Sequence, residues 1–371
     1  MNSHSIRKRV LFAAAALLAL AVAVVFPFVR GAARPDAEDS STAPGEAAAA
    51  ASRPGAGARA GRVVVPAAAQ PTPAGSIFFQ AGWGSGEGQL GRLEANESNP
   101  EAPMSLTVDR QGNVYVLDQV NGRIVRLDKN GQPLPPLPVT QQVPRDLVAS
   151  PTGGLVVMDN LRDNSVAVLG PDGQLLGELP VVGKNVDRGG LALGIHADSS
   201  GVYLERENGM TVRVGDAAGT VDAERPVLDG RPSRDGASLL SMAVIQVAKG
   251  RFWVRSLDRA SGQMKFMREF VLATPILHLS LLDSDAAGRI YAAANVAREE
   301  QDPATGDFHL VDQSVQLLCL SPGGELQRVL SLPPNRMAHE SVRDLTVRDD
   351  GVILYMHRDE EGVRLLQYAC G

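Results

Sequence analysis

Met104-Ser-Leu-Thr-Val-Asp-Arg-Gln-Gly-Asn-Val-Tyr-Val-Leu-Asp-Gln-Val-Asn-Gly-Arg-Ile-Val-Arg-Leu-Asp-Lys-Asn-Gly131 is the stretch in which strands and the turns between them are written most clearly. A β-branched and apolar run ends in Asp109, the chain turns at Gly112, a second run follows, Asn121-Gly122 marks a loop, and a third run ends at Asn130-Gly131. Short runs of this composition, bounded by Gly and Asn that tolerate positive φ, read as antiparallel strands joined by tight turns.

A weaker copy follows as Leu147-Val-Ala-Ser-Pro-Thr-Gly-Gly-Leu-Val-Val-Met-Asp and Ser165-Val-Ala-Val-Leu-Gly-Pro-Asp-Gly173. Later copies place the first turn at Gly201, Gly250, Gly288 and Gly351, giving successive intervals of 41, 48, 49, 38 and 63 residues from Gly112. Those intervals sit near the 40 to 50 residues of a four-stranded propeller blade. Six turns predict an all-β fold: a six-bladed β-propeller of four-stranded antiparallel blades over residues 76–371, preceded by one N-terminal transmembrane helix. In blade 4 no Gly turn follows the run from Gln263 to Val271, so its outer strand is expected to be short or missing. The last blade ends with Val363-Arg-Leu-Leu-Gln-Tyr-Ala-Cys-Gly371, where a fourth strand is still owed. Ser76-Ile-Phe-Phe-Gln80 is strand-like and has no blade of its own, so it is expected to pair there and latch the ring.

The run from Met104 to Gly131 resembles the NHL repeat in three places: its first strand ends in Asp, it continues Gly-Asn-Val-Tyr-Val-Leu-Asp, and it closes with Asn-Gly-Arg-Ile-Val-Arg-Leu-Asp-Lys-Asn-Gly. Gly82-Trp-Gly-Ser-Gly-Glu-Gly-Gln-Leu is similar to the Gly-rich approach to such a repeat. The resemblance implies a six-bladed NHL-like propeller, and among relatives of that kind are calcium-dependent lactonases or esterases and a lyase that uses zinc held by histidines.

Arg7-Lys8-Arg9 precedes twenty residues, Val10 to Val29, in which Pro27 is the only departure from Ala, Val, Leu and Phe. As a helix this run reaches about 30 Å, the thickness of a bilayer's hydrocarbon core. The cations hold its N-terminal side in the cytoplasm, so the remainder is expected on the periplasmic side of a single-pass anchor. A cleaved signal peptide ending near Gly31-Ala32-Ala33 is the competing reading of residues 1–30. Residues 31–75 contain sixteen Ala and six Pro and few large apolar side chains, the composition of a flexible linker.

Lys plus Arg number 36 against 42 Asp plus Glu; Arg7, Lys8, Arg9 and Arg30 lie where there is no acid, leaving 32 against 42 in the rest. That balance argues against a nucleic-acid partner. Gly86-Glu-Gly-Gln-Leu-Gly91 matches a dinucleotide fingerprint in letters only, because Pro100 and Pro103 follow instead of a helix. No Gly-x-Ser-x-Gly elbow and no His-Glu-x-x-His occurs, so no catalytic set is assigned and no cofactor is expected. In propellers the loops joining second to third strands open around the channel mouth. Here they would carry Asp118, Asn121, Asp159, Asn160, Asp163, Glu205, Arg255, Asp258, Asn295, His357 and Asp359. Asp118, Asp159 and Glu205 are the candidate ligands for a hard cation such as calcium, against the alternative that such residues shape their own loops. The insertion in blade 5, residues 297–311, offers Glu299, Glu300, Asp302 and Phe308 as partner-binding candidates, or a solvated hairpin extension. Cys319 and Cys370 fall on third strands of neighbouring, outwardly splaying blades and are expected as free thiols. The function expected is a membrane-anchored binding or scaffold subunit that meets other membrane or periplasmic subunits. The alternative is a calcium-dependent hydrolase or a lyase with its site at the channel mouth.

Overall fold

Turn glycines set the plan of the chain. At Gly112 the backbone has φ 86°, and the Asp109 carbonyl accepts the Gly112 N–H at 3.1 Å, so the strand reverses in four residues and starts the next on the opposite course. In a computed structural model, which describes residues 60–66, 72, 75–94, 99–335, 337 and 339–371, such reversals build six antiparallel sheets. Blade 1 comprises Ser105–Val108, Val114–Asp118, Arg123–Leu127 and Pro133–Pro138; blade 2 comprises Asp146–Ala149, Leu155–Asp159, Ser165–Leu169 and Leu175–Pro180. Blade 3 is Gly194–Asp198, Gly201–Glu205, Thr211–Gly215 and Val227–Leu228, and blade 4 is Arg231–Pro232, Ser238–Gln246, Arg251–Asp258 and Met264–Val271. Blade 5 runs through Ile276–Ser284, Ile290–Gln301, Phe308–Leu320 and Leu326–Leu332, and blade 6 through Leu345–Val347, Ile353–Asp359 and Gly362–Tyr368. The protein is an all-β six-bladed propeller.

Blade 6 takes its outer strand from the other end of the described chain. Ser76–Trp83 pairs antiparallel with Gly362–Tyr368, placing Phe79 opposite Leu365 and Ala81 opposite Val363. A second segment, Ala60–Val64, lies within the span whose composition suggests a linker. It adds a parallel fifth strand to blade 4, Val63 opposite Phe270, and buries Val65 just beyond. Between the two, Thr72 Oγ1 accepts the Ser331 N–H of blade 5 at 2.8 Å. Residues 60–66, Thr72 and residues 75–83 therefore lie on the outer edges of three consecutive blades. Residues 1–59, including the apolar run, lie outside the described residues. Among the described residues no helix is long and apolar enough to cross a membrane.

Blade 4 differs from its sequence reading. Its first turn is at Gly236, where the Ser233 carbonyl accepts the Gly236 N–H at 2.9 Å, and Gly250 joins its second and third strands. The run from Met264 to Val271 is thus the outer strand that seemed absent. The signal was present in Ser233-Arg-Asp-Gly236, but an inner strand of two residues offers no alternating run to announce it.

Apolar side chains that alternate along the strands meet between blades. Clusters centred on Leu106 and Met356, Leu117 and Leu147, Val156 and Val212, Phe252 and Ile276, and Leu317 and Tyr355 fill five interfaces. The seam between blades 3 and 4 is polar instead: Arg259 reaches Asp198 at 2.6 Å and the Tyr203 hydroxyl at 3.0 Å.

The cysteines also depart from expectation. Cys319 and Cys370 form a disulfide, with Cα atoms 6.2 Å apart. After Tyr368 the chain leaves its strand and turns toward blade 5, so the outward splay that separates the third strands does not apply to Cys370. The bridge joins a buried third strand to the end of the chain across the interface of blades 5 and 6.

Candidate functional site

The inner strands converge on a channel that is closed midway by charge pairs. Arg343, on the approach to blade 6, donates from Nη2 to Asp146 Oδ2 at 2.8 Å and from Nε to Oδ1 at 3.1 Å. The same carboxylate accepts the Ser105 hydroxyl at 2.7 Å and the Ile195 N–H at 2.9 Å, and Arg343 also reaches the Ile195 carbonyl at 2.9 Å. Blades 1, 2, 3 and 6 are tied at one point. Burial pushes the Asp146 carboxyl up, but Arg343 and these donors outweigh it and hold it below the usual carboxylate range.

Arg231 makes the second half of this septum. Its Nη1 donates to the Leu282 carbonyl at 2.8 Å, its Nε donates to His196 Nδ1 at 3.2 Å, and Nε lies 3.3 Å from Glu205 Oε1. Because Nδ1 accepts, the neutral His196 carries its proton on Nε2. Burial, reinforced by Arg231, drives the His196 pKa well below its ordinary value. Arg234 pairs with Asp283 at 3.2 Å and Asp349 at 3.3 Å. Burial raises the Asp283 carboxyl, yet Arg234 and Arg231 prevail and lower it to about 2.

Above and below the septum lie two cavities. The lower, about 100 Å³, is strongly polar, lined by His196, Asp198, Arg234 and Asp349 among others. The upper, about 290 Å³, opens at the mouth on the face of the loops between second and third strands, with walls of Leu193, Leu240, Met242 and Leu279 above Glu205, Arg231 and Arg343.

The candidate cation ligands are dispersed. Asp118 is buried and accepts the Gly91 N–H at 2.9 Å, Asn121 Nδ2 at 2.8 Å and Arg123 Nε at 2.9 Å. Asp159 accepts the N–H groups of Val143, Leu161 and Arg162 at 2.8, 3.0 and 2.8 Å. Each holds its own loop, and of the three only Glu205 lines the upper cavity. Among the described residues no group of three or more His, Cys, Asp and Glu is placed to hold a metal ion. Two residues assigned to the mouth lie elsewhere, a consequence of the shifted blade 4. Asp258 ends a third strand on the opposite face, where it accepts Ser261 Oγ at 2.8 Å; Arg255 lies within that strand, over the Trp253 ring and paired with Asp229.

The insertion in blade 5 is a hairpin that continues its second and third strands outward, with residues 302–307 as the tip. Gln301 opposes Phe308 and Glu299 opposes Leu310, so these four share one face, while Glu300, His309, Arg298 and Val311 share the other. Phe308 is 68% exposed and Leu310 40%. Arg298 is paired with Asp312 and lies 4.0 Å from Glu300, which leaves Glu299, Asp302 and Asp307 to make the surround acidic.

No protein-family model matches this chain and no curated protein matches its sequence. Among solved structures it is similar to hydrazine synthase of Kuenenia stuttgartiensis, at 15% identity and TM-score 0.45 over 71% of this chain and 77% of that one. It is also similar to a member of the DUF4221 family from Bacteroides vulgatus, at 10% identity and TM-score 0.44 over 80% and 95%. Virginiamycin B lyase from Staphylococcus aureus follows at 12% and 0.40 over 75% and 97%. Similarity at this level concerns the fold alone.

Proposed function

We propose that this chain is an NHL-like propeller, anchored by residues 10–29 to a membrane and facing the periplasm, that serves as a binding and scaffold subunit of a larger membrane or envelope assembly. The observation that carries the reading is the blade 5 hairpin, which holds Phe308 and Leu310 in solvent on one face of a two-stranded arm. Exposed aromatic anchors rimmed by charge on a rigid scaffold are the usual furniture of a protein contact. The acidic surround calls for a partner with basic residues about an apolar recess. The Cys319–Cys370 bridge supports an oxidising compartment, in keeping with the cations before the apolar run.

Gentle detergent extraction of the full chain, followed by identification of co-purifying proteins, tests the proposal. A stoichiometric partner is expected with the natural chain and is lost when residues 299–310 are replaced by a short turn. Recovery of the natural protein as a lone soluble monomer beginning near Ala33 removes both the anchor and the scaffold role.

A further inference from the structure

The upper mouth of the channel is lopsided, and the cause lies in blade 4. Its inner strand is Arg231–Pro232 alone, whereas blade 3 has Gly194–Asp198 and blade 5 has Ile276–Ser284 in that position. Only Asp229 and Gly230 separate it from Val227–Leu228, the outer strand of blade 3. Gly230 takes φ 146°, and a Cβ there would meet the Leu240 carbonyl oxygen at 2.9 Å, so this abrupt crossing depends on glycine.

Where the upper half of an inner strand would stand, the second strand Ser238–Gln246 is left uncovered. Leu240, Met242 and Val244 are spaced by two and share a face. Exposure rises from 1% at Leu240 to 36% at Val244, an apolar ramp from the septum to the surface. Leu279 and Leu281 of blade 5, Leu193 of blade 3 and Val342 complete the wall of the 290 Å³ recess. At its base Arg343 is matched by Asp146 and Arg231 by Glu205, and at its rim Arg206 stands beside Glu207. The recess therefore has no net charge to offer. The Ser280 hydroxyl, among its lining groups, is buried without a hydrogen-bond partner among the described residues, and Glu205 Oε1, though 3.3 Å from Arg231 Nε as an ion pair, accepts no hydrogen bond there.

We infer that this recess binds a small neutral molecule with a compact hydrocarbon body and one hydroxyl end. Its volume suits roughly a dozen non-hydrogen atoms, at the small end of ligand cavities. Charge is excluded by the same balance: an ionised ligand would leave water for a site whose cations and anions already neutralise one another. Met242 supplies a flexible, polarisable wall that adapts to the shape of the hydrocarbon. The hydroxyl end accepts from Ser280 and donates to Glu205 Oε1, beside that oxygen's ion pair with Arg231.

The probe is phenylbutanol, set against phenylbutyrate and phenylbutylamine, which carry the same hydrocarbon with an anionic or cationic end. Protein labelled at the methionine methyl groups is titrated by NMR, with the Met242 signal assigned from Met242→Leu. The alcohol is expected to move the Met242 signal saturably, and both charged congeners to bind at least about tenfold more weakly. Leu279→Trp, which fills the recess from its rim, is expected to abolish the shift while thermal unfolding shows the propeller intact. No saturable movement of Met242 in the natural protein overturns the inference, as does equal binding of a charged congener. Replacement of the blade 5 hairpin leaves this titration unchanged, so failure here is separate from failure of the scaffold reading.

Discussion

Cutting the Cys319–Cys370 bridge is the perturbation with the most definite consequence. The two residues are 51 apart in sequence. In the chain-entropy treatment a loop of that length removes about 14 cal/mol/K from the unfolded state, or about 4 kcal/mol at 25 °C. Cys370 lies at the half-buried end of the chain, so Cys370→Ser removes the cross-link with little loss of packing, whereas Cys319 is 2% exposed and its replacement adds a cavity cost. For a domain of this size each kcal/mol moves Tm by roughly 2 °C, so Cys370→Ser lowers Tm by about 8 °C. Differential scanning calorimetry of natural protein with and without reductant, beside the variant without reductant, makes the measurement. The reduced natural protein and the variant are expected to coincide. Two alkylatable thiols in protein purified without reductant, or a Tm indifferent to reductant, would contradict a stabilising bridge.

Three further outcomes follow from the edge strands, the septum and its titrating groups. A chain beginning at Gly75 loses the strand Ala60–Val64 and the burial of Val65, worth roughly 1.5–3 kcal/mol, and stays folded. One beginning at Gly91 loses the outer strand of blade 6 and its cooperative transition, as circular dichroism melts will show. Arg343→Met leaves the buried Asp146 carboxylate unpaired and costs about 3–5 kcal/mol in urea unfolding, while adding Asp146→Leu recovers part of the loss. Acid weakens the fold in two stages. His196 titrates lower in the folded than in the unfolded state, so its contribution is whole above about pH 6.5 and falls as pH drops below it; His196→Gln flattens that limb. The stabilisation from Asp283, lowered to about 2, is complete above about pH 4 and disappears as pH falls through 2; Asp283→Asn removes that limb.

Features controlled by local chemistry are legible in the order of the residues alone. Asp109 to Gly112 and Asp285 to Gly288 reverse the chain because short polar side chains and positive-φ glycines bend it wherever they stand, and period-two alternation fixes which side chains pack between blades. Counting such turns gave six blades, although in blade 4 the turn counted, at Gly250, joins the second and third strands and the first turn is at Gly236; a C-terminal sheet one strand short pointed to Ser76-Ile-Phe-Phe-Gln80. Whatever depends on closing the ring emerges from the packed fold alone. Asp146 and Arg343 are 197 residues apart, and nothing near either announces the other. The same holds for the parallel docking of Ala60–Val64, whose pattern is too short to distinguish from linker, and for Cys370, brought to blade 5 by a chain that has left its strand. In blade 4 the two readings parted most: a two-residue inner strand has too little chain to show a period, yet its absence from the channel wall makes the recess. Local propensity is written in neighbouring residues, whereas a cavity is the space that distant strands fail to fill.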